Sequence, residues 1–464
     1  MKAIKFAILL LFTFAINIEA VILPKYGGLL KFAVFQSTLC LDPAKIQTNT
    51  EKCIAGNIFD GLVRYSRGKR LSPAVASSWD RSDDGKTWTF RLSESARFHN
   101  GRKVNASDIK FSWQRSLKHA SDELLAECSL GSIKGAIRYR LGKQSEVDGI
   151  QILEDNTIRI LLDQSDDYFL AGLTSAPAWI VPREALEKSD FDSRPTGCGP
   201  FRCVSATKKI DGEMLRLEAY KDYAYGRPYL DGIVFIYFSD FASALLQFEI
   251  TDGDVDCLEL PNIRFSKRSS NLMTISDNRS VYLHINNASP ALKNKQAIRR
   301  SLPEIIKYGI DTKSILQMLY DQGSHISSKY NPDKAKMIIG DNRINIGRLI
   351  VIKCFPDLAE QDDDAFQISR RIELDLSKIR VDIAVTPLEP KDFRKSISDK
   401  SYTLALHIFS SSFANRNLLD SLYMPLFNQN TNILLRPNIF GLADSAPNNI
   451  LQLDEVYLDL SSAD

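Results

Sequence analysis

LSPAVASSWDRSDDGKTWTFRLSESARFHNGRKVNASDIKFSWQRSL, residues 71–117, is the stretch that decides the fold. Two strand-like runs flank Asp84-Gly85, and a second turn follows at Asn100-Gly101. Asp-Gly and Asn-Gly supply the positive φ angles that tight hairpin turns require. Asn105 then stands three residues before Asp108, ahead of Ile109, Phe111, Trp113 and Leu117. That spacing predicts a capped amphipathic helix, with an acid favoured in its first turn. Each piece is common alone, and the order carries the information.

That order, down to Ser78-Trp79-Asp80 and Phe98-His99-Asn100-Gly101, resembles the signature of the family 5 solute-binding proteins. These are the large periplasmic peptide- and dipeptide-binding receptors of ABC importers. The likeness continues outward. Gly27-Gly28 leads into an alternating strand over 29–35, and Leu39 to Pro43 resembles the family's Leu-Asp-Pro turn. A predicted helix over 51–62 carries the start of the family-like run Asn57-Ile-Phe-Asp-Gly-Leu-Val-Arg-Tyr65. Further on come an alternating strand at Asp155–Leu162, the run Ile180–Ala185, and Gly197-Cys-Gly-Pro-Phe201, where the family usually has threonine in place of Cys198. Tyr223-Ala-Tyr225-Gly226 stands where the family has Tyr-Trp-Gly-Gly, and Gly253-Asp-Val-Asp256 matches a further motif. Gly197-x-Gly199 is not read as a phosphate loop, because the third glycine and the following helix are missing.

The N-terminus agrees with a secreted receptor. Lys2 and Lys5 precede an apolar run from Phe6 to Ile18, and Ala20 offers a cleavage site. This pattern predicts a signal peptide over 1–20, and no cysteine at the junction predicts a lipid anchor. The periplasm is the expected location. The formal net charge is +2, without a basic cluster, so no nucleic acid is expected as a partner. The acidic run Asp362-Asp363-Asp364 lacks the spacing of a calcium loop. Seven cysteines are scattered without a Cys-x-x-Cys pair, which predicts buried free thiols, with one or two bridges open. The five histidines have no metal-ligand spacing, and no Gly-x-Ser-x-Gly elbow exists. No catalytic residue, metal or cofactor is expected, and the chain is read as not an enzyme.

Tyr282–Asn286, followed by Ala297–Leu302, looks like the start of a second lobe. There Leu349–Ile352 predicts a strand, Ala365, Ile368, Ile372 and Leu376 one helical face, and Val381, Ile383 and Val385 another strand. Phe393 and Ile397 suggest a helix, and Tyr402–Phe409 a strand. The expected fold is α/β: a two-lobed periplasmic binding protein fold, mixed sheets flanked by helices, with a ligand cleft between the lobes. The expected division is a signal peptide over 1–20, lobe I over 21–265, lobe II over 266–425 and a partial return to lobe I over 426–464. The second lobe is shorter than the resemblance leads one to expect, and only a weak match follows Phe413.

The resemblance implies a ligand held between closing lobes, paired as an added strand with backbone from both. One strip maps to Val34, Phe35, Gln36 and Ser37. The other, a Gly-Trp-x-Ala-Asp segment in the family, maps to His407, Ile408, Phe409, Ser410 and Ser411. Ser411 then replaces the aspartate that meets a peptide's amino terminus. Leaving that ammonium without its partner costs about 3–5 kcal/mol. Ser410, Ser411 and Ser412 suit a neutral polar ligand such as a blocked peptide or glycan fragment. Asp420 is a candidate displaced replacement. The implied function is capture of a peptide or small-molecule solute by a monomeric subunit that serves ABC permease and ATPase subunits. The alternative is a degenerate receptor without solute binding, acting as a structural or interaction protein.

Overall fold

The computed structural model describes residues 24–35, 39–46, 48–66, 70–121, 124–125, 128–206, 212–250, 253–260, 272–286, 289, 292, 295–319, 329–341, 349–354, 364–388, 396, 399, 401–410, 423–442 and 451–459. The expected signal peptide and the expected helix around Phe393 and Ile397 lie outside them. The strands, in chain order, are β1 (Leu29–Val34), β2 (Val63–Ser66), β3 (Arg70–Pro73), β4 (Ala76–Arg81), β5 (Thr87–Leu92), β6 (Ile150–Glu154), β7 (Thr157–Leu161), β8 (Phe201–Ala206), β9 (Gly212–Ala219), β10 (Gly232–Tyr237), β11 (Cys257–Leu260), β12 (Leu272–Ile285), β13 (Leu349–Cys354), β14 (Ile383–Leu388), β15 (Leu404–Ser410), β16 (Tyr423–Leu435), β17 (Ile439–Phe440) and β18 (Tyr457–Leu458).

The signature stretch folds as its turns dictate. β4 and β5 pair antiparallel through a turn that places Gly85 at φ 68°, and β7 and β6 extend the sheet in the order β4-β5-β7-β6. Gly101 turns at φ 88°. Asn105 caps the helix Ala106–His119: its side chain accepts from the Asp108 N–H, and the Asp108 carboxylate accepts from the Asn105 N–H at 3.0 Å. Ile109, Trp113 and Leu117 face inward onto Phe90, Phe98 and Phe169. The Trp113 indole donates to the Ala178 carbonyl at 2.9 Å, so its one polar atom is satisfied inside the core. Phe111 departs from that face. It packs against the neighbouring core, under the Arg183 guanidinium.

A ten-stranded mixed sheet, in the order β14-β13-β15-β12-β16-β11-β1-β10-β9-β8, runs through both lobes. The first lobe's core gathers Leu30, Ile58, Phe59, Phe201, Leu217, Ile233 and Phe235. The second lobe's core lies under β13, β14 and β15, which are mutually parallel, and under antiparallel β12. Ile368, Ile372 and Leu376 of the helix Asp364–Ser377 are fully buried there, as their spacing predicts. β16 crosses between the cores, with Leu426 packed in the second and Ile433 and Leu435 in the first.

After β16 the chain closes the first core. Ile439, Leu451, Leu453, Val456 and Leu458 are buried in it, and Asn57 brackets the returning backbone through Leu451 O and the Leu453 N–H. Arg64 grips Asp454 through both carboxylate oxygens at 2.8 Å. The helix expected over 51–62 is shorter, Asn49–Ala55. Residues 57–60 use their carbonyls elsewhere: Phe201 N–H donates to Asn57 O, Gly199 N–H to Ile58 O, and Ile180 N–H to Asp60 O. A backbone bonded to those distant partners cannot also continue the helical ladder.

Candidate functional site

β12 and β16 are the long strands between the two lobes. On the first-lobe side, Leu272–Ile275 pairs with Thr431–Leu434, and β16 pairs with β11 through Asn432–Leu435. On the second-lobe side, Arg279–His284 pairs with Tyr423–Gln429, and β12 pairs with β15. Between these blocks, residues 276–278 oppose Asn430 alone, a bulge that interrupts the ladder. β1 runs parallel to β11 and so points at this passage. β15 runs antiparallel to β12, and its last residue, Ser410, pairs with Arg279 at the passage's other side. The carboxyl ends of β1 and β15 therefore face each other across the passage between the lobes, where ligands of α/β sheets bind.

Among the described residues, each end has an edge without a paired strand. Val34 is buried and pairs with Tyr237 of β10, and its carbonyl accepts the Phe238 N–H at 2.9 Å. On the β11 side the register stops at Phe32, opposite Cys257. His407, Ile408, Phe409 and Ser410 pair with Tyr282, Val281, Ser280 and Arg279. On the β13 side the register of β15 stops at Leu406. Among the described residues, Ala33–Phe35 and His407–Ser410 thus have no strand partner on one edge. An extended chain placed there gains main-chain hydrogen bonds from both lobes. Gln36, Ser37 and Ser411 lie outside the described residues, as do Ser412 and Asp420.

Phe35 is half-buried, with its ring 6.1 Å from Phe241. It belongs to a satellite cluster with Phe238, Leu245 and Phe248. Sequence reading missed this cluster. The phenylalanines at 238, 241 and 248 were the available signal, but only the pairing of β1 with β10 brings them beside Phe35.

Other conspicuous residues are structural. Gly197 and Gly199 sit where an added Cβ would come within 2.1 Å of Ile58 O and 2.7 Å of Ile58 C, which explains the glycine pair without any phosphate. The Gly197 N–H donates to His99 Nδ1, so Nε2 carries the proton and donates to Gly199 O at 3.0 Å. Burial holds this imidazole down at about 4. Cys198 is a buried free thiol whose pKa burial pushes up, and burial lifts the Cys203 thiol to about 12. Neither is poised for chemistry. Among the described residues no cluster of three or more His, Cys, Asp or Glu could hold a metal ion, and no helix is long and apolar enough to cross a membrane.

A family model described as bacterial extracellular solute-binding proteins, family 5 Middle, matches residues 70–425. The heme-binding protein A of Haemophilus influenzae is 26% identical over 417 residues, 81% of this chain and 73% of that protein. The dipeptide-binding protein of Escherichia coli is 24% identical over 381 residues, 74% of this chain and 68% of that protein. Among solved structures, the periplasmic binding protein DppA of Helicobacter pylori, in complex with the peptide STSA, superposes with a TM-score of 0.74 at 18% identity. That superposition covers 94% of this chain and 99% of that one.

Proposed function

The chain belongs to the bacterial extracellular solute-binding proteins of family 5, and from that premise we propose that it is the periplasmic substrate-binding subunit of an ABC importer. It captures a peptide or related small solute between its lobes and presents the closed form to a permease and its ATPase. It catalyses nothing. The observation that carries this reading is the head-to-head arrangement of β1 and β15 at the passage between the lobes, each with an edge that no described strand pairs there. A solute spanning the two edges rewards closure, and the bulge in β12 opposite Asn430 is the natural place for the hinge to bend. Main-chain pairing ignores side-chain identity, which suits a receptor that accepts many sequences. The relatives' names, which include heme, dipeptides and oligopeptides, set the breadth of the solute class.

Further parts of the reading rest on the sequence. The apolar start is a signal peptide that delivers a soluble monomer to the periplasm. Val34–Ser37 and His407–Ser411 are the two ligand strips. With Ser411 in the aspartate's place, a free peptide amino terminus lacks its countercharge. A peptide with a blocked amino terminus then binds more tightly than its free counterpart, by a factor of several hundred or more.

The test is native mass spectrometry of protein purified gently from periplasm, followed by thermal shift with the mass that is found. A solute at 100 times its dissociation constant adds about 2.7 kcal/mol of stability. That raises the melting point by a few degrees. No retained mass, no shift with peptide mixtures and a separately melting second lobe would reinstate the degenerate receptor. Light scattering at micromolar concentration checks the monomer.

A further inference from the structure

We propose that the half-open phenylalanine cluster at the carboxyl ends of β1 and β10 is a side-chain pocket that selects solutes carrying a large apolar group. This rests on the solute-binding reading above and names the substrate class that reading leaves open. Three observations carry it.

The first is position. Phe35 continues β1 into the passage between the lobes, and Phe238 follows β10, hydrogen-bonded to Val34. Phe241 opens the helix Phe241–Glu249 directly after. The cluster thus adjoins the open edge of Ala33–Phe35. A solute paired along that edge places alternate side chains against the cluster.

The second is shape. The buried base joins Ala33, Val255, Leu258 and Leu434 on the sheet side to Ala244 of the covering helix. The surrounding residues are large and only partly buried: Phe35, Phe238, Phe241, Leu245 and Phe248. The half-exposed rings present an apolar face and gain from being covered.

The third is charge. The charged groups bordering the cluster are already engaged. Asp240 caps the helix through the Ser243 N–H at 2.8 Å. Arg436, beside the Phe248 ring, donates to Val255 O and Ile250 O at 2.9 Å and pairs with Asp256. A ligand's charged side chain laid against these rings would be desolvated without compensation, whereas an apolar one gains.

The experiment is titration calorimetry on the full chain, refolded to strip carried-over solute. The probes are Ala-Ala-Ala, Ala-Leu-Ala, Ala-Phe-Ala and Ala-Asp-Ala, each free and N-acetylated. The leucine and phenylalanine peptides are expected to bind at least about tenfold more tightly than the alanine and aspartate peptides. Phe238→Ser and Phe241→Ser should each reduce that preference to about threefold or less. Binding of tri-alanine and the two-lobe melting profile guard against simple misfolding. Leu246→Ser, on the exposed face of the same helix at 58% exposure, should leave the preference intact. Binding without preference, or a preference that survives both phenylalanine variants, overturns the pocket and leaves the receptor standing. Failure of every probe to bind, with no retained solute, overturns the receptor and the pocket together.

Discussion

The core beneath the signature hairpin and the core of the second lobe are both apolar, yet they are specified differently. The first is built on rings, with Trp88, Phe90, Phe98, Trp113 and Phe169 buried together. Polar bonds run through it. The Ser112 hydroxyl donates to Asp108 O at 2.7 Å and accepts the Val181 N–H at 3.0 Å, one residue from the Trp113 bond to Ala178. The second core's apolar cluster, among the described residues, is built from isoleucine, leucine, valine and alanine, and its buried polar bonds, such as that from the Asn286 amide to Tyr402 O at 2.7 Å, gather where β12 ends and β15 begins. Interlocked rings admit one packing. An aliphatic core is held by volume and pattern and tolerates exchange. Local shape is therefore specified more tightly beneath the hairpin than in the second lobe's aliphatic cluster.

The sharpest way to break this contrast is a pair of substitutions. Trp113→Ala removes a fully buried ring and strands the Ala178 carbonyl. It should cost about 3–5 kcal/mol in urea unfolding. Ile372→Leu keeps the volume at an equally buried site and should cost less than about 1.5 kcal/mol. Comparable costs would mean that the second core is packed as uniquely as the first.

The next effect also belongs to the first lobe, which buries two ionisable groups of opposite tendency. Burial pushes the Asp60 carboxyl from its ordinary 3.8 up to about 6, against Arg64 and the Tyr223 hydroxyl, which donates to it at 2.8 Å, while Asp454 adds to the rise. The folded state thus holds the Asp60 proton more tightly than the unfolded chain, and this contribution to stability falls as pH rises from about 4 to 6. His99 does the reverse. The unfolded imidazole takes its proton near 6.5 and the folded one only near 4, so its contribution rises with pH across that window. The two slopes oppose each other. Asp60→Asn should unmask the histidine. Stability of the variant relative to the parent should then grow by about 2 kcal/mol between pH 4 and pH 7, measured by urea unfolding. Parallel pH profiles for the two proteins would show that Asp60 does not titrate in that range.

What the sequence makes legible follows the same division. Asp84-Gly85, Asn100-Gly101 and Asn105 with Asp108 each act within a few residues, so turn chemistry and capping reveal them directly. The end of the first helix at Ala55 was not legible, because it depends on Gly199 and Phe201 claiming the carbonyls of Ile58 and Asn57. The same holds at the candidate site. Alternation and resemblance locate the ends of β1 and β15. That the two ends face each other follows only from the register of β12 and β16, and that Phe35 meets Phe241 follows from the parallel pairing of β1 with β10. The return to the first core was obscured for a further reason. Its residues, Leu451 to Leu458, are held by Asn57 and Arg64, partners that no local pattern announces.

The smallest effect compares two helix starts, one in each lobe. In the first lobe Asn105 accepts from two backbone N–H groups, and Asp108 returns the bond. Asp108 also holds Arg102 through two bonds of 2.8 and 2.9 Å, so the cap is anchored to the turn before it. Asn105→Ala strands those donors and should cost about 1 kcal/mol, while Asn105→Asp, which keeps an acceptor there, should cost little. In the second lobe the helix Gln296–Gly309 begins at Lys295, which makes no side-chain capping bond. Lys295→Ala should therefore stay within about 0.5 kcal/mol of the parent. Equal losses at the two positions would erase the distinction between a helix start fixed by its own side chains and one without a side-chain cap.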